Sequence, residues 1–330
     1  MDARRCLTTF LLLLGLAFAV RAPASDGCAG PPTGDMASRI AQIACTEHAQ
    51  WYAPFIDENG RLAHMRVSEA EALRLRDGTP AWRRVAAYWQ GSGVAWPPDG
   101  LSSQADCFGE DRDRNALCRA FLVDTPWSAV FVSWVMARAG LPGFAHSARH
   151  VDYVRQAWRD GTGPYRVADP DAEPPAVGDL LCYARTGQAY GVAGFRAWLE
   201  RSGGALAMHC DIVVSTANAR ARLVGGNVLQ GVTMRVLPLN SSGRFWGLPR
   251  RTGGEAECSP ALPTACNLHR HDWVALLKLN PAANVPAAAP AAPATPCCEV
   301  CQLPMPPGMR RCGAPASTSP VPRPTTDATR

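Results

Sequence analysis

The sequence predicts an α+β fold, with a helical first part followed by antiparallel strands. Three observations carry this. Residues 35–51 set Met36, Ile40, Ile43 and Ala44 at helical spacing. Residues 125–139 are apolar at nearly every position to Val135, the mark of a helix buried on all sides. Strand-length segments then follow at 180–184, 205–215, 222–225 and 232–238.

The elements can be justified in order. Residues 1–24 read as a secretory signal: Arg4 and Arg5 are basic, Leu7 to Val20 form an apolar core, and Ala22-Pro23-Ala24 suits cleavage near Ala24, with a rival cut after Ala19. The apolar run is short for a membrane span, and Cys28 lacks a lipoprotein context. The expectation is a periplasmic or secreted protein with no membrane span in its mature chain. Residues 25–119 are expected to be a helical region packed on the core, with helices at 35–51, 68–75 and 81–89. Ser68 and Glu71 have the spacing of a capping box. Residues 91–120 are polar and turn-rich, with Pro97-Pro98-Asp99-Gly100 as a breaker.

Residues 120–280 form the expected core. Thr125 suits an N-cap and Pro126 a first helical position, Gly140 ends the helix, and another helix covers 147–158. Residues 187–204 read as an insertion between strands. Residues 281–330 read as an Ala/Pro-rich linker and a Cys-containing, disordered tail. Tail residues Cys297, Cys298, Cys301 and Cys312 favour disulfides or thiols over zinc, because a second well-spaced ligand pair is missing.

A net charge of +5 is too small to argue for nucleic acid. Of 13 cysteines, Cys6 leaves with the signal, and an even number in an exported chain points to disulfides. Cys28–Cys45, Cys107–Cys118 and Cys258–Cys266 are near pairs, and Cys182 and Cys210 can face each other on neighbouring strands.

Ser128 lies in the first turn of the buried helix, and His209 and Asp211 share one face of a strand whose other face, Met208, Cys210, Ile212 and Val214, is core. A hydroxyl at a helix start, a histidine on a facing strand and a polar group to orient it make a nucleophile, base and orienter. Asp211 and Asn227, in Gly225-Gly226-Asn227, compete for the orienting role. Trp127 beside Ser128 can wall a groove, and His146 and His150 can line the cleft; metal ligation by those two histidines lacks a third ligand.

Several separated motifs carry a resemblance. Residues 125–139, Val177-Gly178-Asp179-Leu180-Leu181, His209-Cys210-Asp211-Ile212-Val213 and Gly225-Gly226-Asn227 followed by Val232 resemble the papain-like cell-wall hydrolases, the CHAP amidases and NlpC-type peptidases. In those families cysteine stands where this chain has Ser128. The combination Pro126-Trp127-Ser128-Ala129, His209 to Val214 and Gly225 to Val228 looks closer to the bacterial domain of unknown function 2272. The resemblance implies a papain-like core with a buried helix packed on an antiparallel sheet. It implies an amide hydrolase, a peptidoglycan amidase or endopeptidase using Ser128 and His209 with Asp211 or Asn227, acting on peptidoglycan or cell-wall peptide without metal or organic cofactor. A helix N-terminus assists a thiolate by about 0.3–1 kcal/mol at exposed sites, but it cannot ionise a serine. Ser128 therefore needs a histidine to take its proton during attack. Two alternatives stand beside this one: a catalytically inactive module binding cell wall or protein on the same fold, and a secreted antibacterial effector.

Overall fold

The computed structural model describes residues 28, 34–69, 73–94, 107, 111–201 and 203–283, and the backbone of 297–298 and 310–311. The expected signal segment, Glu71, the breaker at 97–100, Cys301 and Cys312 lie outside the described residues. The chain divides into two units at residue 286.

The first unit is α+β. Among its described residues six helices accompany an eight-stranded, mostly antiparallel sheet. Helix α1 (Met36–Gln50) starts where Asp35 accepts from Ser38 N at 2.8 Å, and it buries the Met36, Ile40, Ala44 stripe. Strands β1 (Phe55–Ile56) and β2 (Leu62–Ala63) follow, then α2 (Ala81–Gly91), α3 (Arg112–Asp124), α4 (Ser128–Ala139), α5 (His150–Arg159), β3 (Tyr165–Ala168), β4 (Leu180–Ala184), α6 (Gly191–Arg201), β5 (Met208–Ser215), β6 (Arg220–Val228), β7 (Gly231–Pro238) and β8 (Asp272–Leu279). The strand order is β2-β1-β7-β6-β5-β4-β8-β3, and the β1–β7 pair alone is parallel. Among the described residues no single helix is long and apolar enough to cross a membrane.

Each sheet face has its own core. On one, Cys182, Cys210, Ile212, Val214 and Val224 pack with residues of α1, α2, α4 and α5. On the other, Leu181, Tyr183, Val213, Leu223 and Leu237 pack with Phe245 and Leu248 from the segment before β8. All four expected disulfides form: Cys28–Cys45, Cys107–Cys118, Cys182–Cys210 and Cys258–Cys266. In the second unit, β9 (Cys297–Cys298) pairs with β10 (Arg310–Arg311) in parallel.

The structure corrects several local expectations. The helix expected over 68–75 does not form among its described residues. Ser68 Oγ instead donates to Gln230 Oε1 at 2.6 Å and Glu69 N to Gln230 O at 2.8 Å, so long-range docking on the β6–β7 turn displaces the local cap. The polar stretch before residue 125 contains α3, capped by Asp111 and burying Cys118, Phe121 and Leu122. Thr125 closes α3 rather than opening α4, which is preceded by Trp127 with no side-chain cap. The region before residue 119 is not wholly helical, because β1 and β2 extend the sheet. The segment at 187–204 carries α6, and β3 and β8 add strands not expected from the sequence.

Candidate active site

Ser128 is the first residue of α4, a helix buried along nearly its whole length. A second helix brings it a partner. Ser133 of α4 clamps the loop before α5: its Oγ donates to Ser147 O and accepts from Ser147 N, both at 3.0 Å. Ser147 Oγ in turn donates to Asp152 Oδ2 at 2.7 Å. This lays the start of α5 over the start of α4, and Ser128 Oγ lies 2.7 Å from His150 Nε2. The Nδ1 of His150 is hydrogen-bonded to Tyr153 Oη, one helical turn on. Ser128 and His150 are each 4% exposed.

His209 is placed by strand register. Cys182 stands opposite Cys210 across the β4–β5 pair and is disulfide-bonded to it, which sets Tyr183 opposite His209 and Leu181 opposite Asp211. His209 and Asp211 share a strand face, and His209 Nε2 lies 2.7 Å from Asp211 Oδ1. The other carboxylate oxygen accepts from Arg235 Nε of β7 at 2.9 Å. Arg235 also donates to Tyr183 Oη at 3.3 Å and to Leu268 O. Gly225 makes room for this pair: a Cβ there would collide with Asp211 Oδ1 and stand 2.9 Å from His209 Nε2. A Cβ on Gly226 would strike Phe131 of α4. The two glycines are thus a close backbone approach inside β6, not the plain turn their composition allows.

The expected pairing of Ser128 with His209 is therefore not formed. The Ser128 hydroxyl bonds His150, while the His209 Nε2 bond goes to Asp211. The two imidazoles are neighbours, with ring centroids 5.1 Å apart, so a line of polar groups runs from Ser128 through His150 and His209 to Asp211 and Arg235. Between the two candidate orienters of His209, Asp211 makes the contact. Asn227 has a left-handed backbone, φ 54°. In the orientation its neighbours require, its amide donates to Glu69 Oε2 at 3.2 Å and accepts from Trp127 N at 3.3 Å. It ties the start of α4 to the chain around residue 69.

Trp127, expected to wall a groove, is fully buried, stacks on Trp51 at 5.9 Å and donates its indole N–H to Glu69. His146 turns to Ser133 O at 3.2 Å and packs on Phe144. His150 is thus the member of the 146/150 pair that joins the site. Its position one turn before Tyr153 was the available signal, since an i,i+3 pair shares a helix face.

Burial sets the charge states. It drives His150 well below the ordinary histidine value; the nearby His209 adds to this and Asp211 opposes it, so the ring is neutral at neutral pH. Burial alone would raise the Asp211 carboxyl. His209 and the Arg235 guanidinium outweigh it and hold Asp211 ionised, well below the usual carboxylate range. An ionised Asp211 accepts only, so His209 donates from Nε2 and, when neutral, keeps its lone pair on Nδ1. Neutral His150 has two arrangements: Tyr153 either donates to Nδ1 or accepts from it. In the second, Nε2 accepts the Ser128 proton, as a general base must.

A cavity of ≈ 410 Å³ adjoins this line of groups, bounded by His209, Tyr183, Asn227 and His271 among others. Among the described residues no group of three or more His, Cys, Asp or Glu is arranged to hold a metal ion.

A family model described as an uncharacterized protein conserved in bacteria (DUF2272) matches residues 76–279. No curated protein and no solved structure matches the chain.

Proposed function

Since the chain belongs to the bacterial family DUF2272, whose matched span holds Ser128, His150, His209 and Asp211, we propose that it is an exported, papain-like hydrolase of amide bonds, with Ser128 as nucleophile. The observation that carries this reading is the 2.7 Å contact between Ser128 Oγ and His150 Nε2 at the start of a buried helix. Ser128 attacks the scissile carbonyl carbon as its proton passes to His150 Nε2, while Nδ1–H donates to Tyr153. The carbonyl oxygen becomes an oxyanion, and the uncapped first-turn N–H groups of α4 are suited to receive it. The imidazolium then protonates the leaving nitrogen, and water hydrolyses the acyl-serine. Asp211 is the nearby negative charge that favours the transient imidazolium.

The proposed substrate is peptidoglycan or a peptide derived from it. The test is incubation of the purified protein with peptidoglycan and analysis of released fragments, beside Ser128→Ala and Ser128→Cys. Release by the parent and not by Ser128→Ala is the expected result. Release that persists in Ser128→Ala would sink the proposal.

A second reading, a non-catalytic module that binds cell-wall peptide, is favoured by a separate observation. Ser128 and His150 are nearly closed to solvent, and the cavity is bounded by His209 rather than by either of them. Hydrolysis by Ser128→Cys alone would support a retained scaffold with lost chemistry.

A further inference from the structure

The cavity beside His209 has an unusual wall. Arg185, Arg235, Arg251 and Arg270 all line it, from β7, the end of β4 and the segment before β8. Four carboxylates stand near them: Asp211, Asp272, and Glu255 and Glu257, which share a neighbouring cavity with Arg251 and Arg270. Asp211 is paired with Arg235, and Asp272 accepts from Tyr190 N at 2.6 Å and Gly191 N at 2.9 Å. Among the described residues, Arg185, Arg251 and Arg270 have no carboxylate within ion-pair distance.

Two of these three are nevertheless held in place. Arg251 donates to Thr186 O, and Arg270 Nη1 donates to Ala265 O at 3.1 Å. Anchoring on neutral carbonyls fixes a guanidinium without cancelling its charge, which leaves its remaining N–H groups for a ligand oxyanion. Arg185 is exposed at the end of β4. The positive field also reaches the histidines: burial first, and Arg235 second, lower His271 to about 2. The lining also has an apolar part, with Ile56, Val228 and Leu268. A bare inorganic anion would leave that part unused; an organic anion would cover it. The volume falls in the range of small-ligand pockets, roughly 300–1,000 Å³.

We infer that this cavity binds an acidic peptide, its carboxylates on Arg185, Arg251 and Arg270 and its apolar portion on Ile56, Val228 and Leu268. The assignment rests on the hydrolase reading only in making this peptide the substrate; binding stands apart from turnover.

The probe is acetyl-Ala-Glu-Ala with a free C-terminus, titrated calorimetrically into the full chain carrying Ser128→Ala, which cannot attack. The neutral counterpart, acetyl-Ala-Gln-Ala-amide, and inorganic phosphate are titrated in parallel. The acidic peptide is expected to bind roughly tenfold or more tightly than the neutral one, and to lose a similar factor in Arg185→Gln and in Arg270→Gln. Arg185 is exposed and its one hydrogen bond among the described residues is from its backbone N to Ala207 O, so its variant reports binding rather than folding. Equal affinity for the two peptides, absence of acidic-peptide binding, or unchanged affinity in both arginine variants overturns the inference. Displacement of the peptide by an equal concentration of phosphate overturns it too, in favour of a plain oxyanion site. Peptide binding with no hydrolysis by the parent keeps this inference and overturns the hydrolase; hydrolysis of neutral substrates without acidic-peptide binding does the reverse.

Discussion

A serine hydroxyl at a helix start is too weakly acidic to ionise, so its reactivity depends on which imidazole takes its proton. In the proposed mechanism that imidazole is His150, whose Nε2 lies 2.7 Å from Ser128 Oγ. Replacing it with Ala should lower turnover by about 10²–10⁴ with the fold retained by circular dichroism; equal rates in parent and variant would exclude the Ser128–His150 pair as the working dyad. Gly225 is the other single residue with a sharp consequence. Asp211 is held by Arg235 and cannot swing aside for a Cβ, so Gly225→Ala should cost about 1–3 kcal/mol by overpacking, read as a lower urea midpoint, and should perturb the His209 ring signals in proton NMR. At this scale the sequence allowed Ser128, His209 and Asp211 to be singled out, because a lone hydroxyl in an apolar helix and two ionisable groups on one strand face are visible from spacing. That Ser128 meets His150 was not visible. It depends on how α5 lies across α4, which Ser133 and the 145–149 loop decide through tertiary bonds.

At the scale of elements, strands with a polar and a core face were the most legible. The alternation of β5 separated its core residues from His209 and Asp211. Elements whose stability comes from distant partners were not. The local cap at Ser68 lost to Gln230, and α3 hid in a polar stretch that buries only Cys118, Phe121 and Leu122 while leaving Leu117 and Val123 exposed. β8 passes between β4 and β3, and one residue explains how its end is held. Asp179, just before β4, accepts from Leu279 N at 2.9 Å and Ala176 N at 2.7 Å and pairs with Lys278. Gly178 beside it has φ 89° and leaves little room against Ala37. Asp179→Ala strands two backbone donors and leaves half-buried Lys278 with Pro174 O. It should cost about 3–5 kcal/mol, the usual loss on breaking a buried pair, measured by urea denaturation; a change within 0.5 kcal/mol, about the size of an ordinary surface substitution, would exclude this role.

At the scale of the whole molecule, α+β class and the four disulfides were legible from element order and cysteine spacing. The eight-strand order was not, since β1, β2, β3 and β8 are joined to the sheet by contacts remote in sequence. The contribution of one group to the pH dependence of stability has a definite sign. His271 is lowered by burial, and then by Arg235, to about 2 in the fold, against about 6.5 in an unfolded chain. Its folded value lies below its unfolded one, so its contribution is complete above about pH 6.5 and declines as pH falls. At pH 5 the loss is about 2 kcal/mol for this one group, and His150, displaced in the same direction, adds to it. Asp211 acts with the same sign at lower pH, below the unfolded carboxylate value of about 3.9. The raised carboxyls of Glu47, Glu69 and Asp179 act with the opposite sign, so the readable signal is a difference: between pH 7.5 and pH 5 the urea midpoint of the parent should lose more, or gain less, than that of His271→Gln. Identical pH dependence in the two would contradict the neutral state of this ring.

The Cys182–Cys210 bond joins the residue next to Tyr183 with the residue next to His209. It therefore fixes the register of the two strands as well as bracing them. With the two thiols reduced, the β4–β5 pairing loses this covalent tie, and a slip of one position would turn His209 and Asp211 to the opposite face. Oxidation of one thiol pair removes that freedom. The completeness of that face thus depends on the redox state of a single thiol pair as well as on the residues that form it.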